Sequence, residues 1–334
     1  MMIECMAKLG IGFLNLIYFF LKLLPRQKKI VYLSRQQRTV PLDFQMIADQ
    51  VKKDHPNYRN VMLVKMIDPG LKNKLAYCFF TLKQMYHLAT ARAAVIDTYC
   101  IPVCILKQRK DLTVIQIWHA LGAFKRFSFS ILDQEEGRSS KMARLMHMHE
   151  NYTYVLTSSA YCSPYFQEAF GVRADRMRVI PLPRVDYMTD PAIQAETRRR
   201  IYAAYPRLEN TKKKVLVYAP TFRKYEVSFA EAVKAICDRL DFSRYELIVK
   251  LHPLTEEVID DPRIIFDRQF MTHEMLLAAD GVIADYSAVI FEAALLDRPL
   301  YFIPLIMTAM SISGTFISTI RSRCRARSAG TQRT

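Results

Sequence analysis

The chain has 334 residues, 51% hydrophobic and 24% charged, with 15 Pro and only 9 Gly. That composition excludes intrinsic disorder, collagen-like repeats and coiled-coil rods, and the length suits two domains that each bury a core. The 48 Lys+Arg set against 32 Asp+Glu leave a net charge of +16, a surplus suited to an anionic partner such as nucleic acid, an acidic lipid face or a phosphate-rich substrate.

Residues 9–24, LGIGFLNLIYFFLKLL, are strongly apolar but interrupted by Asn15 and Lys22. They are short for a bilayer-crossing helix, which needs roughly 20 apolar residues. Glu4 and the following PRQKK also fit a signal peptide poorly. The pattern fits a helix lying in the membrane interface, with Phe13, Ile17, Tyr18, Phe20, Leu21 and Leu24 in the lipid and Arg26, Lys28 and Lys29 on anionic headgroups. A core-packed first helix is the alternative.

From residue 28 strands and helices alternate. KKIVYLS (28–34) reads as a strand, 41–55 as an amphipathic helix, NVMLVKM (60–66) as a strand and 71–90 as a helix. AAVIDTYC (93–100) and LTVIQIWHA (112–120) are the next strands, followed by a helix over 139–150, strand 152–159, helix 162–170 and strand 176–182. Residues 187–212 are charged and predict a linker helix. A second series then begins: strand 215–220, helix 228–240, strand 245–253, strand 263–266, helix 271–279, strand 281–287, helix 288–296 and strand 300–304. Such alternation predicts parallel sheets covered on both faces, with ligands at the carboxyl ends of the strands. The domains expected are a membrane-interface helix (1–27), a Rossmann-like domain (28–186), the linker (187–212), a second Rossmann-like domain (213–304) and a basic tail (305–334).

The seven cysteines are scattered without a C-x-x-C pair, which supports reduced structural thiols over a zinc site or a disulfide framework. Neither half carries G-x-G-x-x-G or a Walker A loop, which argues against dinucleotide binding and P-loop phosphotransfer. Polar residues recur instead where predicted strands end. His119, after Trp118 and before Gly122, Lys125 and Arg126, is either a general base or a hydrogen-bonded loop histidine. Lys250 and His252 leave one strand two residues apart and suit a diphosphate, although strand-end solvation explains them too. Asp285-Tyr286-Ser287 precedes a helix, so Ser287 is a plain cap or part of a phosphate site. Arg223 is an oxyanion clamp or an inter-domain ion pair. Ser158-Ser159 reads as a cap, and Arg184 with Asp186 as a boundary turn.

WHALGAFKRF (118–127), TSSAYCSPYFQEAFGV (157–172), PLPRVD (181–186), YAPTFR (218–223), KLHP (250–253) and ADYSAVIFEAALLDRPLYFIP (284–304) together resemble the CDP-glycerol glycerophosphotransferase family of teichoic-acid primases and polymerases. The resemblance runs from about residue 90 to 304. It implies a GT-B fold, with two Rossmann-like, doubly wound domains facing a cleft, and a peripheral enzyme on the cytoplasmic face of the cell membrane. It further implies His119 as catalytic base, Arg223, Lys250, His252, Asp285 and Ser287 around the CDP-linked donor phosphates, and Lys125 and Arg126 on the acceptor. The partners implied are a CDP-glycerol or other CDP-alditol donor, a lipid-linked acceptor and an anionic membrane surface. No carboxylate cluster marks a Mg²⁺ site, so no metal and no cofactor are expected. Nucleic acid is not an expected partner, since no RNP, zinc-finger or helix-turn-helix signature accompanies the basic residues. A nucleotide-sugar glycosyltransferase of the same architecture and an inactive membrane-associated remnant are the alternatives.

Two departures stand out. Relatives carry His-Gly-Thr-Pro where this chain has His119-Ala120-Leu121-Gly122. After Pro304 the sequence has five Arg, no Lys and no acid, the last carboxylate being Asp297, a composition expected of a truncated or frame-shifted reading of the gene.

Overall fold

The computed structural model describes residues 2–67, 70–134, 137–221, 229–251, 255, 257–285 and 287–302. It divides into two compact units. The first comprises Met1–Ala120 and Arg126–Arg184; the second comprises Leu121–Lys125 and the described residues from Val185 on.

In the first unit α1 (Met2–Leu21) precedes β1 (Lys29–Ser34), α2 (Leu42–Asp54), β2 (Arg59–Val64), α3 (Leu71–Thr90), β3 (Ala93–Ile96), α4 (Ile101–Ile105), β4 (Thr113–Gln116), α5 (Ser140–Leu145), β5 (Tyr154–Thr157), α6 (Ser163–Phe170) and β6 (Met177–Val179). The six strands form one sheet in the order β2-β1-β3-β4-β5-β6, every described pairing parallel. Val31, Tyr32 and Leu33 are all buried in succession, as are Ala94, Val95 and Ile96. A strand covered on both faces has no solvent side to alternate with, so it reads as a continuous apolar run.

The helix expected over 139–150 stops at Leu145. His147, His149 and Asn151 take φ of 48°, 64° and 68°, a left-handed backbone incompatible with continuing the helix. The strand expected over 176–182 holds only Met177–Val179, with Arg178 and Val179 exposed at the sheet edge and prolines at 181 and 183.

α1 meets the length and composition of a membrane span, yet it is fastened along one side to the unit. Asn15 Nδ2 donates to Ile105 O at 2.9 Å and Asn15 Oδ1 accepts from Lys107 N at 2.7 Å, while Lys22 Nζ donates to Lys107 O at 2.8 Å. The two residues that interrupt the apolar run are therefore its docking points. Phe13 remains 63% exposed on α1, and Phe79 is 73% exposed on the neighbouring α3.

The second unit contains α7 (Arg184–Thr189) from its second residue on, α8 (Pro191–Ala204), β7 (Lys214–Tyr218), α9 (Phe229–Cys237), β8 (Tyr245–Val249), β9 (Ile264–Phe266), α10 (Thr272–Leu277), β10 (Gly281–Ala284), α11 (Val289–Leu295) and β11 (Leu300–Phe302). Its five parallel strands run β11-β10-β7-β8-β9. Val215, Val217, Ile248, Val282 and Ala284 enter one core, whereas Leu216, Tyr218, Leu247, Val249 and Ile283 enter another. Successive residues thus serve opposite faces, the period-two geometry of a doubly covered sheet. The residues expected as a linker pack here. Asp190 caps α8 by accepting from Ala192 N and Ile193 N ahead of Pro191, and Met188, Ile201 and Leu208 join the first of these cores. The basic tail lies outside the described residues.

Candidate active site

In an open parallel sheet the binding crevice forms where neighbouring crossovers leave in opposite directions. The first sheet reverses between β1 and β3, which puts Ser34, at the end of β1, and Asp97, just beyond β3, at that point. His119 lies three residues past β4. Trp118 carries it there with φ 61°, an unusual conformation for a bulky residue and one that concentrates at functional sites. Trp118 N donates to Gln116 Oε1 at 2.9 Å, and its indole stacks on Phe127 with centroids 5.0 Å apart. Gln116, fully buried, also donates to Thr98 O at 3.1 Å.

The turned chain brings His119 Nδ1 to 2.9 Å from the Asp97 carbonyl. A carbonyl only accepts, so Nδ1 carries the proton and Nε2 keeps its lone pair. Burial pushes the imidazole down to about 4, with the Arg184 charge acting in the same direction against the Asp97 hydrogen bond. His119 is therefore neutral near pH 7, with its basic nitrogen fixed. Beside it, Asp43 at the start of α2 accepts from Arg184 N at 2.9 Å and Nε at 2.8 Å. The boundary turn is thus also an ion pair with a buried carboxylate and a half-buried guanidinium. Asp97 is 3% exposed, and burial pushes its carboxyl up to about 7.

The second sheet reverses between β7 and β10. There Asp285 accepts from Thr221 N at 3.1 Å, Thr221 Oγ1 at 2.8 Å and Ser287 N at 3.1 Å, which ties the two strand ends together. Ala288 rather than Ser287 is the N-cap of α11, and the Ser287 hydroxyl accepts from Val289 N at 3.4 Å. Lys250, just past β8, is buried and gives its ammonium to Asp267 Oδ2 at 2.7 Å. Asp267 Oδ1 accepts from Tyr205 Oη at 2.6 Å. Phe124 joins the core of this unit, and the Phe291 ring lies against Gly122.

Of the sequence-derived site residues, His119 falls at the first switch point, Asp285 and Ser287 at the second, and Lys250 beside the second. Lys125 belongs to the second unit and Arg126 to the first. Arg223 and His252 lie outside the described residues. Among the described residues no group of three His, Cys, Asp or Glu is arranged to hold a metal ion. Sequence reasoning passed over Ser34, Asp43, Asp97 and Gln116. Ser34 and Asp97 carried the signal used for the others, a polar residue closing an apolar strand; Asp43 and Gln116 carried none.

A family model described as CDP-glycerol:poly(glycerophosphate) glycerophosphotransferase matches residues 16–304. The chain is 34% identical over 292 residues to the teichoic acid ribitol-phosphate primase of Bacillus spizizenii, covering 84% of this chain and 74% of that protein. It is 26% identical over 316 residues to the teichoic acid glycerol-phosphate primase of Bacillus subtilis, covering 89% and 79% respectively. Among solved structures, the wall teichoic acid polymerase TagF aligns with a TM-score of 0.69 and 19% identity over 96% of this chain and 84% of that one, a likeness of fold.

Proposed function

Since the chain belongs to the CDP-glycerol:poly(glycerophosphate) glycerophosphotransferase family, we propose that it transfers an alditol phosphate, from CDP-glycerol or a related CDP-alditol, to a hydroxyl of a membrane-linked acceptor in teichoic-acid synthesis. The acceptor oxygen attacks the β-phosphorus, the bond to CMP breaks, and a phosphodiester forms. The observation that carries this reading is the His119 tautomer. With Nδ1–H held by the Asp97 carbonyl, Nε2 is the nitrogen available to take the acceptor proton, a contribution of about 10²–10⁴-fold. Arg223, Lys250, His252, Asp285 and Ser287 stay proposed as the donor side, and Lys125 and Arg126 as the acceptor side.

The two relatives are a ribitol-phosphate primase and a glycerol-phosphate primase, so the donor screen uses both CDP-alditols. His119→Ala is expected to abolish CMP release while the chain stays folded by circular dichroism. Undiminished turnover would reject the base.

The exposed apolar residues of α1 and α3 support attachment to a lipid surface, and we place that surface on the cytoplasmic face. A cavity of about 740 Å³ in the same unit is lined by Arg109, Lys110, Arg144 and Arg176, with Glu150 the one carboxylate among the described residues that line it. Arg144 and His147 also line a recess against Glu4, Lys8 and Ile11 of α1. Basic groups beside an apolar helix favour anionic headgroups. Each buried ring is worth about 2 kcal/mol, so Phe13→Asp with Phe79→Asp is expected to weaken sedimentation with phosphatidylglycerol vesicles by more than roughly 30-fold. Unchanged sedimentation would overturn the attachment.

A further inference from the structure

The transfer outlined above gives no task to the Asp97 side chain. Its Oδ1 is buried and has no hydrogen-bond partner among the described residues, an arrangement that costs stability in a group so thoroughly removed from water. Its backbone carbonyl, by contrast, makes the contact that fixes the His119 tautomer. This buried, under-bonded carboxyl at the sheet's switch point thus belongs to the residue whose carbonyl holds the proposed base.

We propose that Asp97 is a positioning residue for His119: its carbonyl holds the Nδ1–H tautomer, and its ionised carboxyl stabilises the imidazolium that forms when Nε2 takes the acceptor proton. The inference rests on His119 being the base. In that step the acceptor O–H bond breaks, its electron pair forms the new O–P bond, the P–O bond to CMP breaks, and the proton stays on Nε2. Carbonyl and carboxyl belong to one residue, so bond lengths keep the negative charge within roughly 8 Å of the imidazole Nδ1.

The described groups that act on the carboxyl come from β1, α2 and α7, with Cys100 beside them. Ser34, ending β1, hydrogen-bonds it and lowers its pKa; Asp43 of α2 raises it by like charge; Arg184 of α7 lowers it. Cys100, ahead of α4, is itself raised, burial being the largest cause and the Asp97 charge a smaller one. Burial outweighs the rest for Asp97, so the carboxyl ionises around neutrality and its stabilising charge is present above that pH and absent below it.

The test follows CMP release by the full chain on membranes from about pH 5.5 to about 9, together with the titration of the His119 ring by NMR with labelled histidine. The wild type is expected to gain about tenfold in rate through pH 7. Asp97→Asn keeps the carbonyl and the shape but cannot ionise. It is expected to lose that limb, run about tenfold slower at pH 8 and keep its KM for the CDP-alditol. Ser34→Ala removes a hydrogen bond that favours the carboxylate, so the limb moves to higher pH. In the NMR titration the His119 signals report an inflection near 7 in the wild type and none in Asp97→Asn. An unchanged limb in Asp97→Asn, or a uniform loss with the same profile, overturns the proposal. Turnover surviving His119→Ala sinks the base assignment instead, and the NMR inflection then decides whether Asp97 acts on the ring at all.

Discussion

At the switch point of the second sheet, Asp285 accepts from Thr221 and Ser287, and Lys250 is matched to Asp267. At that of the first sheet, Asp43 and Arg184 are likewise matched, but His119 keeps Nε2 available and Asp97 keeps Oδ1 unbonded. Two sheets of the same construction therefore finish differently. In one the described polar groups brace strand ends; in the other a braced pair surrounds two groups with unused bonding capacity. Function is more economically sought where capacity is left over than where charge is simply abundant, because a paired ion must give up its partner before it can serve a ligand.

The sharpest way to break this comparison is to cut one brace in each unit. Asp267→Ala leaves a buried ammonium without its carboxylate and is expected to cost about 3–5 kcal/mol of stability in urea titrations, and Asp43→Ala, whose Arg184 partner is half-buried, somewhat less. Only Asp43→Ala is expected to move the pH profile of CMP release, since Asp43 and Arg184 act on Asp97 and His119. Equal shifts from both variants would show that neither site is special.

A smaller effect sharpens the same contrast through stability alone. The Asp97 carboxyl titrates at about 7 in the fold against an ordinary 3.8. Between those values the folded chain holds a proton that the unfolded chain has released, so stability falls as pH rises through the window and levels above it. Asp97→Asn does not titrate. Relative to the wild type it should be unchanged near pH 4 and gain steadily to at most about 4 kcal/mol by pH 7, at about 1.4 kcal/mol per unit. Urea midpoints at the two pH values check the sign; a variant that is equally or less stable at the higher pH refutes it.

The alternation of apolar runs made both sheets legible in the sequence, because strands buried on both faces are apolar throughout and helices repeat at a different period. The helix α1 was legible as an apolar segment, but Tyr18, expected in lipid, is fully buried and hydrogen-bonds Gln108. Asn15 and Lys22 read as interruptions of an apolar run, whereas in the fold they are hydrogen-bonded to the chain at 105–107; no local pattern encodes a partner some 85 to 92 residues away. His119 was legible as chemistry at a strand end. Its tautomer was not, because that depends on which carbonyl from another strand reaches Nδ1. Asp97 and Ser34 showed the strand-end signal, yet Asp97 lacked the cationic surroundings that drew attention elsewhere and Ser34 stood beside Arg35 without a histidine or helix cap to mark it. The early stop of α5 was hidden because helical periodicity continued through residues whose backbone is turned by tertiary packing.

The fastening of α1 has a geometric corollary. The chain from 105 to 111 that receives Asn15, Lys22 and Arg26 feeds directly into β4, and His119 leaves the far end of that strand. The four residues of β4 span about 13 Å. That strand therefore fixes the spacing between the segment that holds α1 and the residue that follows its far end.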